Sequence, residues 1–309
     1  MFFLGYLKNY ELIQATLCGP IPNSDTGVKK MKIAYLGPEG TFTEQAAKSF
    51  IGALDEQGLS LSPLASIEDV FESVENGTAA YGVVPIENSI EGGVNVTIDT
   101  LIFDSDLFIS KQLTLPIVQN LMISEKNSGK KVTKILSHPQ ALAQCRKFIN
   151  RMYPDAIVEA ANSTAEAAKA ASRESGEVIA AIGPKNSAEL YGLKIIHENI
   201  QENKKNSTQF VLLTKKDTSE PKSGCSTSVV FATKDKPGEL NRVLGIFSIW
   251  ELNMTRILSR PTKNRQSEYV FFIEISGYDE AADVAEALAM IKRKTIFFKN
   301  LGTYRIVDV

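Results

Sequence analysis

The alternation of short apolar segments with amphipathic ones, from Met31 to about residue 213, constrains the fold of this chain more than any other feature. KIAYLG is followed by TFTEQAAKSF, and LSPLAS is followed by SIEDVFESVENG. The apolar residues of this last segment keep helical spacing, at Ile67, Val70, Phe71 and Val74. Strands that alternate with helices in this way predict an α/β architecture with parallel sheets.

The alternation is interrupted between residues 104 and 125, where LFISKQLTLPIVQNLMIS predicts extended chain that crosses between two units. Beyond this stretch VTKILS precedes HPQALAQCRKFINRM, and AIVEAA precedes NSTAEAAKAASRE. VIAAIG and TQFVLL are the last predicted strands of this part. We therefore expect two α/β lobes rather than one long sheet.

The chain changes character at residues 214–226, TKKDTSEPKSGCS, where polar residues with Pro, Gly and Ser predict a domain boundary. From TSVVFAT to GTYRIVDV the predicted order is strand, helix, two strands, helix and strand. This βαββαβ order is typical of a ferredoxin-like domain. The predicted boundaries are 31–215 for the two lobes, 216–225 for the linker and 226–309 for the C-terminal domain.

Residues 1–30 have neither the features of a signal peptide nor an apolar run long enough to span a bilayer, and they predict an extension outside the fold. Met31 directly precedes the first predicted strand. Two interpretations remain open: the folded unit starts at Met31, or residues 1–30 form a real N-terminal arm.

Composition limits the class of protein and of partner. The 309 residues are 43% hydrophobic and 23% charged, which suits a globular chain with more than one core. A net charge of −2 predicts no basic surface for nucleic acid or an anionic membrane, so small molecules or other proteins are the expected partners. The few, widely spaced cysteines and histidines argue against a metal site and favour the reducing cytoplasm; they are Cys18, Cys145, Cys225, His138 and His197.

Three hydroxyl residues, Thr41, Ser66 and Ser163, stand three positions before a carboxylate at predicted helix starts. This is the spacing of a helix capping box, so capping alone is one interpretation. The other is that turns such as GPEGTF and ANST lie at the carboxyl ends of strands, where helix N-termini bind anions. Two lobes with such turns face to face would form a cleft for a small compound that carries carboxylates.

Residues 83–93, VVPIENSIEGG, join the end of an apolar strand to a polar turn that contains Glu87, Asn88, Ser89 and Glu91. A solvated turn is one interpretation, and a polar cluster inside the cleft is the other. His138 follows another predicted strand and precedes a proline, and it is open to the same choice between a capping residue and a cleft residue.

Several of these segments together resemble one family. YLGPEGTFTEQAA, GVVPIENSIEGGV, SHPQALAQC, NSTAEAA, AAIGP and NSTQF resemble, in this order, prephenate dehydratase, and KPGELNRVLGIF and LSRP resemble the ACT regulatory domain that follows it. The resemblance runs from about Lys32 to the end of the chain. Some members carry a chorismate mutase domain in front, and residues 1–30 are too few for it, so a monofunctional enzyme is expected.

The resemblance implies a fold and an activity. The expected fold is α/β, with a two-lobed periplasmic-binding-protein-like catalytic domain followed by the ferredoxin-like ACT domain. The expected reaction converts prephenate into phenylpyruvate, water and carbon dioxide in phenylalanine biosynthesis, without a metal or an organic cofactor. Phenylalanine is the expected feedback effector, bound by ACT domains that pair between the subunits of a homodimer or homotetramer.

Thr208 matches the essential threonine of the family, whose Thr-Arg-Phe motif is Thr208, Gln209 and Phe210 in this chain. Hydroxide is a poor leaving group, and a threonine hydroxyl can donate a hydrogen bond to it without acting as a nucleophile. Glu87 is the expected proton source, because a carboxyl desolvated in the cleft can stay protonated at neutral pH. Gln209 replaces a charged, forked donor with a neutral amide, so weaker substrate affinity is expected if this position binds a substrate carboxylate or braces the site.

The other polar groups of the matched motifs are expected to bind the two carboxylates and the keto oxygen of the substrate. They are Thr41, Asn88, Ser89, His138, Gln140, Asn162, Ser163, Thr164 and Asn206, together with Gln209 and Phe210. Effector binding is expected at Gly238, Glu239, Leu240, Leu258, Ser259, Arg260 and Pro261. Leu258 stands where the family has a glutamate, so we expect phenylalanine to bind more weakly or regulation to have changed.

Two rival functions remain open on the sequence. An arogenate dehydratase acts on a substrate with an amino group in place of the keto oxygen of prephenate, and one sequence does not separate the two. A non-catalytic sensor would only bind a ligand in the cleft, although such a protein has no need of Thr208.

Overall fold

The computed structural model describes residues 31–54, 56, 58–173, 177–218, 224–262, 269–276 and 281–308. The predicted extension at 1–30 and residues 219–223 of the predicted linker lie outside the described residues. The interpretations of these segments therefore stay predictions.

The described chain alternates strands with helices over most of its length. The strands are β1 (Lys32–Leu36), β2 (Ser60–Leu64), β3 (Tyr81–Asn88), β4 (Gly92–Gly93), β5 (Phe108–Pro116), β6 (Asn120–Ser124), β7 (Lys134–Ser137), β8 (Ile157–Ala160), β9 (Ile179–Gly183), β10 (Leu193–His197), β11 (Ser207–Thr214), β12 (Cys225–Ala232), β13 (Asn253–Pro261), β14 (Tyr269–Ser276) and β15 (Phe297–Val307). The helices are α1 (Phe42–Gly52), α2 (Ile67–Glu75), α3 (Asn95–Asp99), α4 (Pro139–Gln144), α5 (Arg146–Met152), α6 (Thr164–Ser172), α7 (Lys185–Tyr191), α8 (Glu239–Ile249) and α9 (Ala281–Lys294).

The first lobe is built on strands in the order β2-β1-β3-β11-β5. Successive side chains of a strand point to opposite faces of the sheet, and β1 shows this clearly. Ile33 packs with Phe50 of α1, whereas Ala34 packs with Val70 of α2. The two helices therefore cover opposite faces, and each face has its own apolar core.

The second lobe repeats this plan, with strands in the order β10-β6-β9-β7-β8. β7 pairs in parallel with β8 and β9, and β6 runs antiparallel to β9 and β10. The expected crossing segment joins the lobes, because β5 belongs to the first sheet and β6 to the second. The prediction of two α/β lobes is confirmed.

Two details of the prediction are wrong. The sheets are mixed rather than parallel, and β11, which contains TQFVLL, belongs to the first lobe, where it lies antiparallel to β3 and β5. The chain enters β11 from β10 of the other lobe without an intervening helix. Parallel pairing requires a crossover connection within one sheet, and this chain has none at that point. The return of β11 places Thr208 beside Asn88, which are paired residues of β11 and β3.

The C-terminal part has the predicted order β12-α8-β13-β14-α9-β15, and its strands lie in the order β15-β12-β14-β13. The ferredoxin-like topology is confirmed. One feature was not predicted: β15 pairs in parallel with β5 of the first lobe, with Arg305 opposite Lys111 and Val307 opposite Leu113. The sheet of the first lobe and the sheet of the C-terminal domain are therefore continuous.

Candidate active site

A cavity of about 940 Å³ lies between the two lobes. Most of the residues that the sequence placed in a cleft line it, namely Thr41, Asn88, His138, Gln140, Asn162, Ser163, Thr164, Thr208 and Phe210. They come from strand ends and helix starts of both lobes. The expected cleft is confirmed, and the roles of its residues remain proposals.

The helix starts at this cavity are capped by the residues that were predicted to do so. Thr41 Oγ1 accepts a hydrogen bond from the Glu44 backbone N–H at 3.3 Å, and Ser163 Oγ accepts one from the Glu166 N–H at 3.0 Å. His138 Nδ1 accepts from the Gln140 N–H at 3.3 Å. A neutral His138 ring with Nδ1 as acceptor carries its proton on Nε2. The two interpretations of these residues are thus compatible, because they cap helices and line the cavity.

Thr208 is 8% exposed, and its hydroxyl is held by one neutral amide. Asn88 Nδ2 donates to Thr208 Oγ1 at 2.9 Å. A hydroxyl has one proton to donate and two lone pairs, and in the described part of the chain Thr208 Oγ1 donates to no protein group. The Thr208 proton is therefore available to an acceptor inside the cavity.

Asn206 and Ser89 hold this pair rather than line the cavity. Asn206 Oδ1 lies 3.0 Å from Asn88 Nδ2, and Asn206 Nδ2 donates to Gln144 Oε1 at 3.0 Å. Ser89 Oγ accepts from the Ser207 N–H at 3.0 Å. Asn206 and Ser89 were predicted to contact the substrate directly. They instead support the Asn88–Thr208 pair from outside the cavity, through hydrogen bonds to Asn88, Gln144 and the Ser207 backbone.

Glu87 does not line the cavity, which corrects the predicted placement. Glu87 and Asn88 are consecutive on β3 and so point to opposite faces of the sheet. The Glu87 carboxylate faces the C-terminal domain, where its Oε2 lies 2.5 Å from Arg256 Nη2 of β13. A carboxylate on that face has no path to a leaving group bound beside Thr208.

The predicted placement of Gln209 in the cleft is also wrong. Gln209 is the cross-strand partner of Glu87 and follows Thr208 on β11, so it points away from the cavity. Its Oε1 accepts a hydrogen bond from Arg256 Nη2. The side chain that replaces the motif arginine therefore meets the C-terminal domain, and the expected weakening of a substrate carboxylate contact does not apply to it.

The cavity also contains residues that the sequence analysis missed. Lys169 and Arg173 line it from α6 and its C-cap, one helical turn apart, on the helix that begins at Thr164. Helical periodicity counted from Glu166 would have found both, at i+3 and i+7. Tyr191 lines the same cavity, and burial, followed by the nearby carboxylates of Glu39 and Glu44, raises the pKa of its phenol. Gln119, Gln144 and Glu166 are further polar lining residues that were not foreseen, whereas Glu91 lies in the cavity as one of the two interpretations of its turn predicted.

The residues expected to bind the effector fall into two groups. Gly238 and Leu240 line a second cavity, of about 430 Å³, in the C-terminal domain, and Glu239 pairs with Arg242 at 2.7 Å. Leu258 instead packs against an apolar core that the first lobe shares with the C-terminal domain, and Arg260 Nε lies 2.9 Å from Asp99 Oδ1. Ser259 and Pro261 are exposed. Within the described single chain the two groups do not line one cavity.

Among the described residues no cluster of three or more His, Cys, Asp or Glu side chains is arranged to hold a metal ion. No helix of the described residues is long and apolar enough to span a membrane.

The geometry defines a class of protein: two α/β lobes around a cleft that fits a small polar molecule, with a hydroxyl donor held at one wall. The family model for prephenate dehydratase matches residues 33–218. The prephenate dehydratase of Methanocaldococcus jannaschii is 42% identical over 279 residues, covering 89% of this chain and 98% of the relative. The bifunctional chorismate mutase/prephenate dehydratase of Aquifex aeolicus is 41% identical over 276 residues, covering 89% and 74%.

A solved structure agrees with these relatives. The prephenate dehydratase of Arthrobacter aurescens, crystallised in complex with L-Phe, superposes with a TM-score of 0.79 at 30% identity, covering 89% of this chain and 90% of that one. This chain belongs to the prephenate dehydratase family. It is accordingly an enzyme of the hydro-lyase class.

Proposed function

We propose that this protein converts prephenate into phenylpyruvate, with Thr208 as the hydrogen-bond donor to the departing hydroxyl. The observation that carries this assignment is the Asn88–Thr208 pair, which leaves the Thr208 proton free at the wall of a cavity between the lobes. The family membership supplies the reaction, and the pair supplies the group that acts at its difficult step.

The reaction breaks two bonds of the substrate. The bond between the ring and its carboxylate breaks and releases carbon dioxide, and its electron pair completes the aromatic ring as the carbon–oxygen bond breaks. The departing hydroxyl accepts a hydrogen bond from Thr208 and takes up one proton from the bulk solvent, so that the prephenate dianion and one proton give the phenylpyruvate anion, carbon dioxide and water. A preorganised donor placed where charge develops is typically worth about 10²–10³ in rate.

The two lobes have different parts in binding the dianionic substrate. Lys169 and Arg173 line the second-lobe side of the cavity together with Glu166, so the charged side chains of α6 and its C-cap that line the cavity are net positive. Thr208 and Asn88 present neutral groups on the first lobe. We assign the retained carboxylate of the pyruvyl side chain to the second lobe and the departing ring carboxylate to the neutral region, because a charged partner would stabilise the ground state of the group that must leave.

The test is phenylpyruvate formation from prephenate by the wild-type protein and by Thr208→Ala and Thr208→Ser. We expect kcat to fall by about 10²-fold or more in Thr208→Ala and to be largely kept in Thr208→Ser, which retains the hydroxyl. Arogenate is tested in parallel, and turnover of arogenate alone would assign the rival substrate. Stabilisation of the wild-type protein by prephenate without turnover of either compound would establish a sensor and overturn the proposal.

We propose phenylalanine as effector and the C-terminal domain as its ACT-type binding domain. The cavity at Gly238 and Leu240 supports this, as does the L-Phe complex of the Arthrobacter aurescens relative. Since LSRP lies apart from that cavity within one chain, the two segments would form one site only across a pair of chains. Phenylalanine should lower wild-type activity, and Leu240→Ala should weaken that inhibition without changing activity in its absence.

We further propose a homodimer or homotetramer, paired through the C-terminal domains, in the cytoplasm. Exposed apolar side chains on this domain, such as Ile249 at 72% and Ile257 at 48% exposure, support the pairing. The cysteine pattern of the sequence supports the location. Light scattering of the wild-type protein and of Ile249→Lys tests the pairing, and a wild-type monomer at micromolar concentration would overturn it.

A further inference from the structure

We infer that Arg256, on β13 of the C-terminal domain, is a positioning residue for the reaction. It acts on the Asn88–Thr208 pair from the opposite face of the same two strands. This inference rests on the proposed function of that pair. Arg256 is not among the described residues that line the cavity, and its polar partners there are Glu87, Gln209 and Glu274, so its effect is transmitted through the two strands that carry Asn88 and Thr208.

The Arg256 guanidinium joins two strands of the catalytic part. Its Nη2 lies 2.5 Å from Glu87 Oε2 on β3 and also donates to Gln209 Oε1 on β11. The Arg256 side chain is 6% exposed, so the guanidinium is buried, whereas the Glu87 side chain is 37% exposed. A charge-assisted hydrogen bond is stronger than a neutral one, and Nη2 carries two N–H groups, one for each strand.

This contact lies directly beside the active-site residues in the sheet, so a change in it can displace them. Glu87 and Gln209 are opposite each other, and the neighbouring pair is Asn88 and Thr208. The register of β3 and β11 shifts just beyond, between Gln209 and Phe210. A bulge interrupts the regular ladder of hydrogen bonds. The guanidinium therefore ties the two strands together where their own pairing is irregular, one residue from the catalytic hydroxyl.

The guanidinium is itself held by the C-terminal domain. Arg256 Nη1 lies 3.4 Å from Glu274 Oε2 on β14. Glu274 is buried, and its carboxylate accepts from Thr255 Oγ1 at 2.9 Å and from the Tyr304 hydroxyl at 3.2 Å. Arg256 is paired with this network by charge, without a hydrogen bond from Nη1, and the network places Glu274 beside it. A shift of β13 would consequently move Glu87 and Gln209, and with them the neighbouring Asn88–Thr208 pair.

The decisive variant is Arg256→Lys, which keeps the positive charge but replaces the planar guanidinium, whose Nη2 meets both strands and whose Nη1 faces Glu274, with a single ammonium nitrogen. We expect kcat for phenylpyruvate formation to fall about ten-fold, which corresponds to the loss of one charge-assisted bond relative to a neutral one. We expect KM to stay within about two-fold, because the residues that line the cavity are unchanged. Arg305→Lys is the matched control, since Arg305 is an exposed arginine on β15 of the same domain, away from Glu87 and Gln209.

The second variant moves the guanidinium to the other side of the contact. Gln209→Arg alone places two guanidinium groups together and should lower both kcat and the melting temperature. The double variant Gln209→Arg with Arg256→Gln restores one guanidinium beside Glu87, and kcat should return to within about three-fold of wild type. The melting temperature of each variant is recorded, so that loss of folded protein is separated from loss of turnover.

A readout independent of activity keeps this inference separate from the proposed function. Native-state hydrogen exchange of the backbone amides of residues 207–210 should accelerate in Arg256→Lys and not in Arg305→Lys. If the wild-type protein makes no phenylpyruvate, the proposed function fails while the exchange result still tests the strand contact. The inference is overturned by unchanged kcat and exchange in Arg256→Lys, by an equal change in Arg305→Lys, or by a double variant that keeps the wild-type melting temperature yet is as slow as Arg256→Lys.

Discussion

The two faces of the β3–β11 strand pair differ in chemistry and in the part of the molecule that they meet. On the cavity face, Asn88 donates to Thr208, and both groups are neutral. On the opposite face, Glu87 and Gln209 bind the guanidinium of Arg256 from the C-terminal domain. Adjacent residues of each strand thus serve a reaction on one side and a domain contact on the other.

This difference shows that residues adjacent in a sequence motif need not share a function. The pairs Glu87–Asn88 and Thr208–Gln209 each divide between the faces. A substitution at 209 therefore acts on the contact between domains, and one at 208 acts on the chemistry. A neutral glutamine at 209 is suited to its place, because the guanidinium is supplied by Arg256 from the other side of the contact.

We expect the largest effect from Asn88→Asp, which changes the hydrogen bonding of the cavity face while keeping its shape. An aspartate carboxylate only accepts, so it would draw the Thr208 proton to itself and away from the leaving hydroxyl. We expect kcat to fall about 10²-fold, as for the loss of a donor in the transition state. Steady-state kinetics measure this. Glu87→Gln, the neighbouring change on the opposite face, is the control and should cost much less; equal losses in both variants would contradict the distinction between the faces.

A smaller effect, on stability, is expected where the C-terminal sheet joins the first lobe. Gly302 on β15 has φ +114°, and a Cβ there would lie 2.7 Å from the backbone oxygen of Ile109 on β5. Gly302→Ala should therefore lower the free energy of unfolding by at least about 2 kcal/mol through backbone strain and this clash. Calorimetry measures the change.

Gly245 provides the matched control for this prediction. It lies inside α8, and a Cβ at that position would meet no atom within 4 Å. Gly245→Ala should leave stability unchanged or raise it by up to about 1 kcal/mol, because alanine favours the helix. A Gly302→Ala protein as stable as Gly245→Ala would show that the sheet junction does not hold the domains together.

The sequence predicted the architecture well because its signals are local. Helical spacing at Ile67, Val70 and Val74 and the βαββαβ order depend only on neighbouring residues, and both are confirmed. The return of β11 to the first lobe and the β15–β5 junction depend on pairing between residues far apart in the chain. No local pattern specifies which distant strand becomes the neighbour.

The candidate site was predicted only in part, and the reason is related. Motifs placed Thr208, Asn88 and the helix starts near the cleft, and these residues line or hold the cavity. Glu87 was misplaced because a motif gives proximity along the chain and not the face of the strand. Strand alternation, counted from Asn88, would have assigned Glu87 to the other side. No local motif could have indicated the position of Arg256, since it contacts Glu87 from a different domain.

The smallest expected effect concerns a second comparison, between the neutral Asn88–Thr208 pair of the first lobe and the second lobe, where Lys169 and Arg173 line the cavity. Arg173→Ala should raise KM for prephenate about three- to ten-fold with little change in kcat, because an exposed charge contributes to binding the substrate and not selectively to the transition state. The difference from wild type should shrink as salt rises from low ionic strength to about 1 M, where the Debye length is about 3 Å. Arg151→Ala removes an exposed arginine from α5 and should leave KM unchanged. A fall in kcat at constant KM would instead place Arg173 against the reacting part of the substrate, and the retained carboxylate would then need another partner.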